Sequence, residues 1–191
     1  MNRIMGSLVL GVLLGVVLTP LVILGWFRFG HMPVAVADTT LPLEDQLARI
    51  SLDARVAAEQ PKIVPVAADE PNLTAGAQVY LNQCASCHGV YGKPVGFAMH
   101  MFPKAPQLWL PHPDGKGVGV SGISPTEIYW KVSNGIRQSG MPAYKDTLST
   151  SEIWQVSLLL TNADKPLPSA VVDIVHPQAA AEKGEPDSGK Q

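Results

Sequence analysis

The sequence predicts an all-α protein in which a single transmembrane helix precedes a small helical domain. The first observation is an uninterrupted apolar segment at residues 4–27, which carries no charged side chain. The second is a pair of helix-start signatures, Ser124-Pro125-Thr126-Glu127 and Ser149-Thr150-Ser151-Glu152. Each places a hydroxyl residue at the N-cap and a glutamate three positions later, as in a capping box. The third is residues 74–83, which are typical of a helix and have no strand pattern near them.

Composition divides the 191 residues into four segments. Residues 1–29 are an N-terminal transmembrane anchor, and residues 30–72 are an acidic, proline-containing linker. Residues 73–165 form the segment that is typical of a packed domain. Residues 166–191 form a tail that is either disordered or draped over a partner. The net charge of −2 argues against nucleic-acid binding, which needs a basic surface. Two cysteines allow at most one disulfide, so the fold is no disulfide scaffold.

The apolar segment is long enough to span a membrane. At about 1.5 Å per residue it covers roughly 36 Å, against about 30 Å for a bilayer core. A cleaved signal peptide is the alternative, with Ala35-Val36-Ala37 as its cleavage site, but signal h-regions are usually shorter. Small residues recur every fourth position on one face, which would let a partner helix approach closely. The alternative is that glycine is simply common in membrane helices. The small residues are Ser7, Gly11, Gly15 and Thr19.

The linker contains a predicted amphipathic helix at residues 43–59. Helical spacing is followed by Leu43, Leu47, Ile50 and Ala54, and Pro61 ends the pattern. The helix either docks, on a partner or on the packed domain, or belongs to a solvated spacer that holds the domain away from the membrane.

Both cysteines lie in Cys84-Ala85-Ser86-Cys87-His88, and the spacing C-x-x-C-H is the attachment signature of a c-type haem. We expect one haem, held by two thioethers from Cys84 and Cys87, with His88 on the iron. A thioredoxin-like pair would need a βαβ context, and a zinc site would need further ligands. The sequence has no strand pattern near the motif and contains no other cysteine.

The second axial position has five candidates outside the anchor and the tail. Met141 is favoured because Gly140 and Pro142 flank it in a segment between two predicted helices, where a rigid loop can present the thioether inward. Met99 and Met101 follow His88 closely in the sequence and are more typical of apolar packing. His100 and His112 are more typical of surface or loop residues.

At this point the chain resembles the class I c-type cytochromes, and especially the monohaem domains of cbb3-oxidase and dehydrogenase subunits. The resemblance covers residues 73–165. It rests on Gly76 to Tyr80 before the C-x-x-C-H motif, and on Ala105-Pro106-Gln107-Leu108, Asn134-Gly135-Ile136, Gly140-Met141-Pro142-Ala143-Tyr144 and the final Leu158-Leu159-Leu160.

The resemblance implies a class I cytochrome c fold, with roughly three to five helices around one covalent haem. It implies that His88 and Met141 are the axial ligands, that the Pro106 carbonyl accepts the His88 ring N–H, and that Leu108 packs on the haem. It also implies that the first and last helices of the domain cross at Gly76.

The segment Gly117 to Gly122 matches the dinucleotide pattern G-x-G-x-x-G, but no strand precedes it. We therefore expect no nucleotide binding, and interpret the segment as a flexible loop near the haem, with Trp109 beside a propionate.

The expected function is electron transfer by a membrane-anchored monohaem cytochrome, because two filled axial positions leave no place for a substrate. The protein is then no enzyme. It would lie in the bacterial inner membrane as a single-pass protein, with its haem domain in the periplasm. Its partners would be redox proteins: a quinol-oxidising complex, a dehydrogenase or a terminal oxidase. It would act as a carrier or as a haem subunit of a complex. Its own membrane helix would then contact a helix of a partner subunit. The alternative is a haem-based peroxidase or gas sensor with an open or labile sixth position.

Overall fold

The computed structural model describes residues 2–112, 115 and 117–176. These residues contain helices and no strand, which confirms the all-α prediction. The helices are α1 (Asn2–Phe29), α2 (Glu44–Glu59), α3 (Glu70–Gln83), α4 (Ala85–His88), α5 (Pro125–Asn134), α6 (Thr150–Thr161) and α7 (Ser169–Val175). A 3₁₀ turn covers Gly96–His100. The chain forms two compact units, with the boundary between Glu44 and Asp45.

The first unit is dominated by α1. Its segment Ile4–Phe29 has a mean hydropathy of 2.7 and is long and apolar enough to cross a membrane. Pro20 lies inside the helix, a position that transmembrane helices tolerate. The predicted small-residue face has open space at Gly11 and Gly15, where an added Cβ would meet no atom within 4 Å.

The second unit begins with α2, whose C-terminal end packs against α5. Val56 is buried, the Trp130 indole N–H donates to the Glu59 carboxylate at 3.1 Å, and Thr126 Oγ1 donates to Gln60 at 2.9 Å. The helix therefore docks on the packed domain, one of the two outcomes that the sequence left open. It docks through a face that the sequence did not single out.

The stripe of Leu43, Leu47 and Ile50, which predicted the α2 helix, stays exposed. At about 100° per residue this stripe lies on the opposite side of the helix from Val56. The amphipathic pattern therefore predicted the helix, but its apolar stripe is not the face that packs on the domain.

The core of the domain lies between α3, α5, α6 and α7. A Cβ on Gly76 would overlap the carbonyl oxygen of Gln155, so the close approach of α3 and α6 expected at this glycine is confirmed. Large apolar side chains of α3, α6 and α7 are fully buried, among them Tyr80, Ile153, Val156, Leu159, Val171 and Val175.

The predicted helix starts are present at α5 and α6. Ser149 and Glu152 form a complete capping box. At α5 the Ser124 hydroxyl accepts from the Glu127 N–H at 3.2 Å, but the Glu127 carboxylate pairs with Lys131 at 2.6 Å. The second half of that box does not form, because the carboxylate is engaged one turn further along the helix.

Helix α7 corrects the boundary that the sequence placed at residue 165. Val171 and Val175 are fully buried, and the Val175 carbonyl accepts the Tyr91 N–H at 3.1 Å. The packed domain thus extends into the segment that composition assigned to a tail. Residues 177–191 of that tail lie outside the described part of the chain.

Candidate functional site

The motif Cys84 to His88 forms one tight helical turn. Cys84 ends α3, and its carbonyl accepts the N–H groups of Cys87 and His88 at 3.1 and 2.9 Å. Residues three and four positions apart lie on one face of a helix, so both thiols and the imidazole share a face. No disulfide joins the two cysteines. The turn is formed by local backbone hydrogen bonds alone, which explains why its residues could be found from sequence spacing.

The His88 ring has one defined orientation. Its Nδ1 lies 2.7 Å from the Pro106 carbonyl oxygen. Because a carbonyl only accepts, Nδ1 carries a proton, and in the neutral imidazole Nε2 then keeps its lone pair. Burial lowers the pKa of His88, while the bond to Pro106 opposes this effect. The ring is therefore a neutral imidazole with a free nitrogen, the form that binds a metal. The expected bond between His88 and Pro106 is confirmed.

The Cys84 thiol is protonated at neutral pH. Burial, with a smaller contribution from Cys87, raises the pKa of Cys84 to about 12. Redox-active cysteine pairs have a lowered pKa at an exposed helix N-terminus. This environment, together with the absence of a strand among the described residues, disfavours the thioredoxin-like alternative.

The motif also differs from a direct metal-ion site. In the described residues no group of three or more His, Cys, Asp or Glu side chains converges on a point that could hold an ion. The two thiols and the imidazole lie near one another but do not converge on a single point. Such a set suits a wide macrocycle, which can bind thiols at its edge and an imidazole at its central iron. The donor set therefore fits a c-type haem and does not fit tetrahedral zinc.

Leu108 is buried directly beside the motif. Its side chain is buried, and its N–H donates to the His88 carbonyl at 3.2 Å. Three further site residues, Cys84, Met141 and Tyr144, pack against the hydrophobic cluster that contains Leu108. Three of the six predicted site residues, Cys84, Leu108 and Met141, thus lie in or against the hydrophobic core.

Met141 lies in a loop held by several independent contacts. The Ile136 N–H donates to the Met141 carbonyl at 3.2 Å, and Ser139 Oγ accepts the Met141 N–H at 3.2 Å. Gly135 has a φ of +67°, and a Cβ there would lie 2.7 Å from the Met141 oxygen and the Ala143 nitrogen. The Met141 segment is thus a loop held by backbone and side-chain hydrogen bonds, and Gly135 is an additional requirement for it.

Tyr144 is a site residue whose role the sequence did not indicate. Its hydroxyl donates to the Gln83 carbonyl at 2.9 Å, and burial raises the pKa of this phenol. The bond joins the Met141 loop to the end of α3, directly before Cys84. A tyrosine after a G-M-P-A sequence is the only signal that could have indicated it.

The other candidates for the second axial position differ in placement. Met99, His100 and His112 are exposed, and Met99 exposes 60% of its surface. Met101 is half-buried, and its terminal methyl lies 3.2 Å from the position that a Cβ on Gly140 would take. Met101 therefore lies against the Met141 loop.

The glycines of the segment Gly117 to Gly122 allow a close backbone contact. The Gly119 N–H donates to the Leu110 carbonyl at 2.9 Å, and a Cβ on Gly119, whose φ is +54°, would overlap the Leu108 carbonyl. Trp109 lies in the core, with its ring 5.7 Å from that of Tyr80 and 6.0 Å from that of His176. The glycines thus allow this loop to approach the backbone beside the site.

Comparison with known families gives one finding. The family model described as "Cytochrome C oxidase, cbb3-type, subunit III" matches residues 71–158. The match begins in α3, ends in α6, and includes the C-x-x-C-H turn, Pro106, Leu108 and Met141. No curated protein and no solved structure matches the chain significantly.

Proposed function

Because residues 71–158 form a class I c-type cytochrome domain of the cbb3-oxidase subunit III kind, we propose that the chain is a membrane-anchored, monohaem electron-transfer protein. One haem c is bound through thioethers to Cys84 and Cys87, with His88 and Met141 as the axial ligands. The haem, when bound, supplies a one-electron couple. The remaining chemistry is done by the side chains that hold, orient and shield it.

The observation that best supports the proposal is the hydrogen bond that His88 Nδ1 donates to the Pro106 carbonyl oxygen, with 2.7 Å between the two atoms. It fixes the tautomer in which Nε2 is the free ligand atom, and a carbonyl acceptor raises the basicity of a ligating histidine. The two thiols lie on the same turn, so one rigid element presents all three attachment atoms.

Met141 decides between electron transfer and substrate chemistry. With a thioether on the second axial position, no coordination site is open to oxygen, peroxide or another small ligand, and His/Met ligation suits an electron carrier. The contacts of Gly135, Ser139 and Tyr144 support this assignment because they hold the Met141 loop in one conformation. A haem enzyme or sensor would instead need an open or labile sixth position.

Anchoring and location follow from α1 and from the type of domain. Helix α1 holds the protein in the bacterial inner membrane as a single-pass anchor, and the haem domain lies in the periplasm. Its electron donor and acceptor are redox proteins: a quinol-oxidising complex, a dehydrogenase or a terminal oxidase. It serves either as a free carrier or as a haem subunit of such a complex. Lys93, Lys104 and Lys145 are the first candidates for partner contacts.

The covalent attachment is tested by the mass of the denatured chain. The full-length protein is produced in a bacterium that attaches haem in its periplasm, extracted in mild detergent, and denatured before mass spectrometry. We expect the mass of one haem to stay with the chain, and Cys84→Ser with Cys87→Ser to remove it. A chain without attached haem, or with more than one, would contradict the proposal. The same preparation shows whether partner subunits copurify in fixed ratio.

A further inference from the structure

The side chain of Gln107 bonds three backbone segments around the haem-attachment turn. Its Nε2 donates to the carbonyls of Cys87 and Ala105 at 3.1 and 3.2 Å, and its Oε1 accepts the Val95 N–H at 2.7 Å. We propose that Gln107 is a positioning residue, which sets the orientation of the turn that carries Cys87 and His88. This inference rests on the proposed function, since it concerns how the iron ligand is held.

The hydrogen bonds leave the Gln107 amide no alternative orientation. Cys87 and Ala105 offer carbonyl oxygens, which only accept, while Val95 offers an N–H, which only donates. A flipped amide would place its oxygen against two carbonyls and its nitrogen against a donor. All three hydrogen bonds are therefore formed in one orientation only, and the half-buried side chain acts as a fixed bridge.

Gln107 completes a clamp made by three consecutive residues. The Pro106 carbonyl accepts from the His88 ring, the Gln107 side chain binds the Cys87 carbonyl, and the Leu108 N–H donates to the His88 carbonyl. Residues 106–108 thus bind the backbone and the ring of residues 87 and 88. Two of the three contacts come from the backbone, so Gln107 supplies the contact that depends on side-chain identity.

Gly89 provides the space that this bridge needs. Its φ is +72°, and a Cβ at this position would lie 2.7 Å from Gln107 Oε1 and 2.9 Å from the Lys93 carbonyl oxygen. The backbone beside His88 and the side chain of Gln107 are therefore in direct packing contact. A displaced amide would change the path of the chain immediately after the ligand.

The physical consequence concerns the bond between His88 and Pro106. Loss of the Gln107 bridge frees the Cys87 carbonyl and loosens the turn, which weakens the hydrogen bond from the His88 ring to Pro106. A weaker acceptor bond makes the imidazole a poorer donor to ferric iron. The ferric state then loses stability relative to the ferrous state, and the midpoint of reduction rises.

The test uses the full-length, haem-loaded protein in detergent, with redox titration, the ferric low-spin spectrum and thermal unfolding as readouts. Gln107→Met keeps the side-chain volume and removes all three hydrogen bonds, and Gln107→Glu keeps only the acceptor for Val95. We expect both to raise the ratio of reduced to oxidised protein at a fixed potential by about threefold or more. We also expect a changed anisotropy of the ferric low-spin spectrum.

Gln155→Met is the matched control, because Gln155 is also half-buried and loses a single bond, to Asn72 at 3.0 Å, away from the motif. It should lower thermal stability without moving the midpoint. Gln107 variants that lower stability but keep the wild-type midpoint and spectrum would overturn the inference. If Gln107→Met does not accumulate with haem, Gln107→Asn, one methylene shorter, is measured against the same criterion. A wild-type chain without covalent haem would instead contradict the proposed function itself.

Discussion

The contact between α3 and α6 gives a prediction whose sign tests the packing directly. In Gly76→Ala, the new Cβ would overlap the Gln155 carbonyl oxygen and lie 2.6 Å from the Gln155 carbonyl carbon. These atoms belong to the backbone of α6, so they cannot move aside as the end of a side chain can. The two helices must separate, and the fully buried Tyr80 and Val156 lose part of their packing.

The magnitude follows from two opposing effects. Replacing a glycine inside a helix by alanine stabilises the helix by about 1 kcal/mol. Inserting a methyl group into a closely packed backbone contact costs roughly 3 kcal/mol. We expect a net loss of about 2 kcal/mol in the free energy of unfolding. For a domain of this size that loss corresponds to a melting temperature lower by roughly 10 °C.

Thermal unfolding of the haem-loaded chain, followed by far-ultraviolet circular dichroism, measures the effect. Gly96→Ala is the control, because Gly96 lies in the 3₁₀ turn and a Cβ there would meet no atom within 4 Å. We expect its melting temperature to stay within a few degrees of the wild type. A higher melting temperature for Gly76→Ala would mean that helix propensity alone operates, and would refute the close approach of α3 and α6.

Three further predictions concern the Met141 loop, α2 and α7. In Gly135→Ala the positive φ and the short contacts to Met141 and Ala143 should displace the Met141 loop. We expect the ferric spectrum to lose its methionine–iron band while the haem stays attached. An intact band would contradict this. Val56→Ala removes two buried methyl groups and should cost about 1.5 kcal/mol and expose α2 to limited proteolysis. Leu47→Ala, on the exposed stripe, should change stability by less than about 0.5 kcal/mol, and equal protease sensitivity of the two variants would contradict the docked face. His176 stacks on Tyr91 at 3.8 Å, and burial lowers its pKa, so the folded protein binds its proton less readily than the unfolded chain. The contribution of the neutral His176 ring to the free energy of unfolding is therefore present above about pH 6.5 and is lost as the pH falls below that value. Hydrogen exchange of α7 between pH 7.5 and 5.5 should show this loss, and His176→Gln should remove the pH dependence.

Local signals in the sequence predicted the elements that local interactions form. The capping box of Ser149 and Glu152 and the turn from Cys84 to His88 depend on contacts within four residues, so spacing alone identifies them. The contact of Pro106 with His88 spans 18 residues, and it was available only because the motif resembles a known family.

Elements formed by tertiary contacts were harder to predict. Helix α7 has Pro168 at its N-cap with no side-chain cap, and only its burial against α3 and the bond to Tyr91 explain it. In α2 the longest apolar stripe is exposed, since docking depends on Val56 and two polar contacts rather than on hydrophobic spacing. The role of Gln107 depends on three backbone groups brought together by the fold, which no local pattern encodes.

The ferric absorption spectrum of purified full-length protein and of Met141→Ala tests the central claim most directly. If His88 and Met141 fill both axial positions, the wild type shows the long-wavelength band of a methionine–iron bond. Met141→Ala then loses that band and gains affinity for added small ligands, while the control Met99→Ala keeps it. A wild type that lacks the band and binds such ligands would contradict electron transfer through a closed site. A band that survives in Met141→Ala and disappears in Met101→Ala would contradict the assignment of Met141.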